Sequence, residues 1–174
     1  MMRVLVVLIT GFVLGLSSAA VADEVTITVE GRGGPFPADE PGGSGIVALG
    51  VDYEVVLPVS LGAGGGGSGR PQHKPFVIRK VNGASSLFFY EALVRGEVLK
   101  KVTVSFKKKG KGKGKDKEEY LVITFNEVLV SSYNMNGGGG EDEATVETIA
   151  LEFSNMQLAH PPTGKVVTTS LGSK

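Results

Sequence analysis

His73 and His160 are the only imidazoles in this 174-residue chain, and each stands near prolines, at Pro71 and Pro75 and at Pro161. A serine nucleophile needs a positioned histidine base. Ser44 and Ser68 lie among glycines, but neither completes a GxSxG turn and no spacing links either to a histidine. Cysteine is absent, which removes thiol nucleophiles, thiolate zinc sites, iron–sulfur clusters and disulfides together. Two histidines without thiolates are too few for a zinc site. Gly62, Gly64 and Gly67 spell GxGxxG. A dinucleotide site, however, needs a helix directly after that motif, so that the helix N-terminus faces the phosphates. Here Gly69, Arg70 and Pro71 intervene and a strand pattern follows. Glu141, Asp142 and Glu143 offer oxygen ligands for calcium after four glycines, yet neither EF-hand spacing nor a nonapeptide repeat surrounds them. No carboxylate pair is spaced as a glycosidase acid and base. The chain therefore reads as non-enzymatic, with no catalytic, cofactor-binding or metal-ligating residue to assign.

The strongest charge feature is the tract from Lys107 to Glu119, with lysines at Lys107, Lys108, Lys109, Lys111, Lys113, Lys115 and Lys117. A nucleic-acid surface would interleave aromatics for base stacking and use arginines for base edges. The tract has neither, and Asp116, Glu118 and Glu119 partly neutralise it. It reads as a long solvated hairpin loop and is the candidate contact surface of this chain. Over the whole sequence 18 basic side chains balance 18 acidic ones, so no general attraction to nucleic acid or anionic membrane is expected.

These residues are carried on an alternating β pattern behind a leader. Arg3, the apolar run Val4 to Leu16 and the small residues Ala20-Val21-Ala22 form a secretory signal over residues 1–22, with cleavage expected before Asp23. The run is shorter than the roughly 20 residues needed to span a bilayer. The mature chain is expected in the periplasm or outside the cell, off the membrane, as one domain over residues 23–160 with a flexible tail over 161–174. Val25 to Glu30, Ile46 to Leu49, Tyr53 to Leu61, Phe76 to Val81, Val102 to Phe106, Tyr120 to Phe125 and Thr148 to Phe153 read as strands. Pro58 suggests an edge or a bulge, and Glu127 to Tyr133 continues the sixth strand beyond a kink. Between Asn82-Gly83 and Gly96 lies one helix. Ser85 or Ser86 is its expected hydroxyl cap, Gly96 its left-handed stop, and Leu87, Tyr90, Val94, Phe89 and Leu93 its sheet-facing stripe.

The order of these pieces resembles the haemolysin-coregulated protein family, Hcp, of type VI secretion. Ser85-Ser86-Leu87-Phe88 opening the helix, Glu91-Ala92-Leu93 within it and Leu99 to Val104 after it carry the resemblance, with Val130-Ser131-Ser132-Tyr133 and Glu147 to Met156. The resemblance implies a mainly β chain: a compact Hcp-like β-barrel with one short α-helix on its side. It implies copies of that barrel closing into a hexameric ring, stacking into a tube, and holding small secreted effector proteins in the channel. The lysine tract would then be a subunit or ring-stacking contact. The leader and the Gly-rich stretches Gly31–Gly45, Gly62–Gly69 and Gly137–Gly140 depart from the family pattern. A rival reading keeps the same barrel as an exported monomeric binding module that recognises partners through its Gly- and Lys-rich loops.

Overall fold

The computed structural model describes residues 24–62, 65–108, 117–137 and 144–171. The elements run β1 (Glu24–Gly31), β2 (Gly34–Pro35), β3 (Ile46–Ala48), β4 (Gly50–Asp52), β5 (Val55–Val56), β6 (Val59–Gly62), β7 (Gly65–Ser68), β8 (Gln72–His73) and β9 (Phe76–Val81). Then come α1 (Ser86–Arg95), β10 (Val98–Lys108), β11 (Glu118–Asn136), β12 (Val146–His160), a 3-10 turn at Pro161–Thr163 and β13 (Lys165–Ser170). The leader, Lys109, Lys111, Lys113, Lys115 and the Glu141–Glu143 cluster lie outside the described residues.

Three long antiparallel strands, β10, β11 and β12, organise the main sheet, and each serves two groups of neighbours. At one end β1 lies on β10 over Lys101 to Lys107, while β13 lies on β12 over Asn155 to His160. At the other end β9 lies on β12 over Val146 to Leu151, with β4 beyond it. A bend lets one strand serve both groups. In β11 it falls at Glu127, whose φ of 53° is the one left-handed non-glycine backbone among the described residues. A register shift between Val130 and Ser132 adds further twist. The kink read from the sequence is thus a local backbone inversion.

The expected closed barrel needs one correction, because no ladder joins β1 directly to β9. The segment Ile46–Asp52 spans the gap: β3 pairs with β1, β4 pairs with β9, and the Leu49 amide donates to the Arg79 carbonyl at 2.8 Å. Gly45 enters this bridge so close to β1 that a Cβ there would lie 2.7 Å from the Ile27 carbonyl oxygen. The sheet is open in its pairing but wrapped around one core.

That core follows the period-two pattern of the strands. Ile46, Ile27, Val104 and Ile123 stand directly opposite one another on β3, β1, β10 and β11, and all are buried. The row continues through half-buried Leu158 on β12 to Val167 on β13, which is exposed. Across the bend Phe76, Phe125 and Phe153 pack with ring centroids 4.8 and 4.6 Å apart. Tyr53 closes this cluster and its hydroxyl bonds His73 Nδ1.

Two further expectations change. The segment read as a flexible tail is instead a strand: Pro161–Thr163 and Gly164, at φ 67°, turn the chain back so that Lys165–Ser170 pairs along β12. The single strand over Tyr53 to Leu61 is split at Pro58 into β5 and β6, which pair with β8 and β7 in two small ladders. Because Phe125 is fully buried at the aromatic junction, Phe125→Ala is expected to cost about 3–5 kcal/mol. Urea unfolding followed by far-ultraviolet circular dichroism measures it, and a loss below about 1 kcal/mol would remove the junction from the core.

Candidate functional site

The helix is fixed to the sheet by a buried polar cluster that hydrophobic patterning does not announce. Lys80 on β9 and Glu147 on β12 stand opposite each other, and both side chains are wholly buried. Their polar atoms approach to 3.3 Å. The Lys80 ammonium also donates to the Val81 carbonyl at 2.8 Å and to Ser86 Oγ at 3.1 Å. Asp39 Oδ2 lies 3.2 Å from it, an ion pair whose angles are too bent for a hydrogen bond. Glu147 accepts from Ser86 Oγ at 2.9 Å, Tyr133 Oη at 2.8 Å and Asn82 Nδ2 at 2.5 Å.

This cluster replaces the expected hydroxyl cap. Ser85 occupies the cap position, but its side chain makes no capping bond; its amide donates to Asp39 Oδ1 at 2.9 Å instead. Ser86 turns inward and accepts from the Gly83 amide at 2.8 Å. Gly83 is required by crowding, since a Cβ there would lie 2.5 Å from Asp39 Oδ1. The other end is as expected: Gly96, at φ 60°, donates to the Leu93 carbonyl and Glu97 to that of Ala92.

The expected apolar stripe is divided: Phe89 and Leu93 pack toward the sheet as read, whereas Leu87, Tyr90 and Val94 do not. Ser86, Phe89 and Ala92 face the sheet, with Leu93 packed beside them. Leu87, Tyr90 and Val94 point outward and are 76%, 53% and 67% exposed. Helical spacing could not distinguish the two faces, because both are apolar; the serines drawn into the polar cluster decide the rotation. Next to this face a cleft separates the β1–β2 turn from the end of α1, lined by Arg32, Phe36, Phe88, Arg95 and Glu97.

Burial alone would raise the Glu147 carboxyl, but hydrogen bonds from Ser86, Tyr133 and Asn82 and the Lys80 charge outweigh it and hold the carboxyl below its ordinary 4.5. Burial, and then the bond to Glu147, push the Tyr133 hydroxyl well above its usual value. The centre of the cluster, Lys80, Glu147 and Ser86, is sealed from solvent while Asn82 stays exposed at the rim, and the arrangement has the chemistry of a clamp.

Of the lysine tract, Lys107, Lys108 and Lys117 are described. Lys107 lies across from Glu24 and Glu119, and Lys108 across from Glu118. The Lys108 ammonium sits 4.5 Å from the Tyr120 ring centre, and Lys117 pairs with Glu24. The base of the tract is thus compensated by acids of its own sheet, in exposed pairs worth about 0–1 kcal/mol each. His160 meets Thr163 at 2.9 Å and shares no contact with His73. Among the described residues no group of three or more potential ligands could hold a metal ion, and no helix is long and apolar enough to cross a membrane.

A wrapped antiparallel sheet carrying one clamped helix defines the class of protein. The family profile described as "Type VI secretion system effector, Hcp" matches residues 44–160, more than half of the chain. This chain belongs to the Hcp family, whose members are structural secreted tube or effector proteins rather than enzymes. Protein hcp1 of Pseudomonas aeruginosa is 50% identical over 44 residues, which span 25% of this chain and only 26% of that relative. A crystal structure of an Hcp protein has the same fold, with a TM-score of 0.75 at 19% identity, covering 88% of this chain and all of the other. The secreted protein Hcp3 from Pseudomonas aeruginosa gives 0.68 at 19% identity, covering 87% and 100%.

Glu147→Ala, which leaves Lys80 buried beside Asp39 alone, is expected to cost about 3–5 kcal/mol. The paired change Lys80→Met with Glu147→Leu should recover part of that loss, and equal stability of single and double variants would contradict the clamp. Because the folded Glu147 carboxyl titrates below its unfolded value, its contribution is complete above about pH 4.5 and declines as pH falls through the folded value. Thermal midpoints measured from pH 7 to 3 should therefore fall more steeply for the native chain than for Glu147→Gln.

Proposed function

We propose that this chain is a non-catalytic structural subunit that associates head to tail into a hexameric ring around a central channel, an assembly resembling the tube component of a type VI secretion apparatus. The observation that carries this reading is the Hcp profile match over residues 44–160. The outward apolar face of α1 supports it, since a head-to-tail ring needs one patch of each copy to meet a different patch of the next. The partners are further copies of the chain, with small secreted effector proteins in the channel. No cofactor takes part. The protein works outside the cytoplasm after loss of residues 1–22, and the lysine tract from Lys107 to Lys117 contacts the neighbouring ring in a stack.

The mature chain starting at Asp23 is expected to elute from gel filtration as a hexamer and to show rings by negative-stain microscopy. A monomer at every usable concentration would remove the ring and leave an exported binding module on the same fold. Changing all seven tract lysines to serine should leave rings intact and abolish their stacks. Unchanged stacking would remove the tract from the contact.

A further inference from the structure

Two Asn-Gly pairs occur in this chain, Asn82-Gly83 between β9 and α1 and Asn136-Gly137 at the end of β11. In such a pair the asparagine side chain is open to attack by the next backbone nitrogen, because glycine has no side chain to hinder the approach. Asn136 is exposed, and its side-chain amide bonds Asn134 Oδ1 at 2.7 Å on the same strand. Asn82 is exposed as well, so water reaches it, but it is built into the clamp.

Each half of Asn82-Gly83 is held there by a different constraint. Asn82 Nδ2 donates to Glu147 Oε1 at 2.5 Å, and the Asn82 backbone amide donates to the Thr145 carbonyl at 2.8 Å. No side chain fits at Gly83, where a Cβ would meet Asp39 Oδ1. The Gly83 amide donates to Ser86 Oγ at 2.8 Å. The clamp thus requires this reactive pair and also shields it. While it is closed, Ser86 engages the attacking nitrogen and Glu147 engages the departing amide. Both bonds must break before the Asn82 side chain can turn onto its own backbone, and a local opening at the start of α1 breaks both.

We propose that Asn82-Gly83 is a deamidation site gated by opening of the clamp, and that its carboxylate product prevents the clamp from closing again as before. In the open state water takes the Gly83 amide proton, the nitrogen attacks Asn82 Cγ, and the Cγ–Nδ2 bond breaks. The amide group takes a proton from water and leaves as ammonia, and a five-membered succinimide remains. Water then opens that ring at either carbonyl, giving aspartate or isoaspartate at this position with no change of oxidation state. The centre already sets two carboxylates, Glu147 and Asp39, against the single Lys80 ammonium. The product replaces a donor to Glu147 with a like charge, which repels it. Isoaspartate also routes the backbone through the side chain, adding a carbon to the link between β9 and α1. The modification is therefore a one-way record of helix opening.

Peptide mass mapping and enzymatic methylation of isoaspartate follow the conversion at mildly alkaline pH. Asn82 should convert at least about tenfold more slowly in the folded chain than in urea. Ser86→Ala, which frees the Gly83 nitrogen, should speed conversion at Asn82 about tenfold while leaving that at Asn136 unchanged. Tyr133→Phe, which removes a donor to Glu147 and leaves the helix untouched, should act in the same direction. Phe125→Leu alters a ring packed on Phe76 and Phe153, controls for general loss of stability, and should leave Asn82 slow. Asn82→Asp should melt at least about 2 °C below Asn82→Ala at neutral pH, with the gap narrowing in acid as the new carboxyl takes up a proton. Equal rates at Asn82 in the folded chain and in urea, or in the native chain and both clamp variants, would overturn the gating. Acceleration by Phe125→Leu equal to that by Ser86→Ala would assign the reaction to global unfolding and overturn it too. An Asn82→Asp chain as stable as the native one would overturn the block on closing.

Discussion

The rest of the structure depends on one buried ion pair. Lys80 and Glu147 are taken wholly out of water on adjacent strands, and isolated charges in that position are strongly unfavourable. Every neighbouring element is arranged to offset that cost. Asn82 and Gly83 break β9 where their donors are needed, Ser86 turns inward from the first turn of α1, and Tyr133 reaches across from β11. Asp39 brings the Gly- and Pro-rich stretch between β2 and β3 to the same point. The pair sets where the helix begins, which face it buries and where a loop without regular structure is held.

Rotation of the helix follows directly. With Ser86 committed to the carboxylate, Phe89 and Ala92 must face the sheet, and Leu87, Tyr90 and Val94 are left outside. A face that would be a liability on an isolated monomer is suited to a chain that meets its own copies. Interior chemistry and the outward apolar face of the helix are thus linked through a single hydrogen-bonded centre.

Much of this was legible in the sequence, for physical reasons that differ between elements. Strands such as Val102 to Phe106 and Thr148 to Phe153 alternate with period two because one side is core and the other is not. Gly96 marked the helix stop because its left-handed backbone suits a residue without a side chain. The polar centre was invisible, since Lys80 and Glu147 look like solvent-facing residues and are 67 positions apart. The helix orientation is only half legible for the same reason: Phe89 and Leu93 face the sheet as read, but Leu87, Tyr90 and Val94 make a competing apolar face, and only a distant carboxylate chooses. The Pro161-Pro162 pair suggested an end to the domain, whereas a 3-10 turn and Gly164 make it a reversal into β13. Closure was overestimated because alternation reports which side of a strand is wet and carries no information about which strands pair. The haemolysin-coregulated resemblance, resting on the order of several short pieces, survived where single motifs carried nothing.

The bend at Glu127 sets limits on how this chain can tolerate length changes. Strand β11 is paired on both sides, by β10 and β12, and its two halves face different neighbours. One residue inserted or lost there would turn either Phe125 or the Val128 and Val130 pair toward solvent. Extra residues in a surface connection add little closure entropy. Evolution can therefore lengthen the hairpin tips freely while the middle of β11 keeps a fixed residue count, so related chains should differ by insertions at the tips and by substitutions alone through the bend.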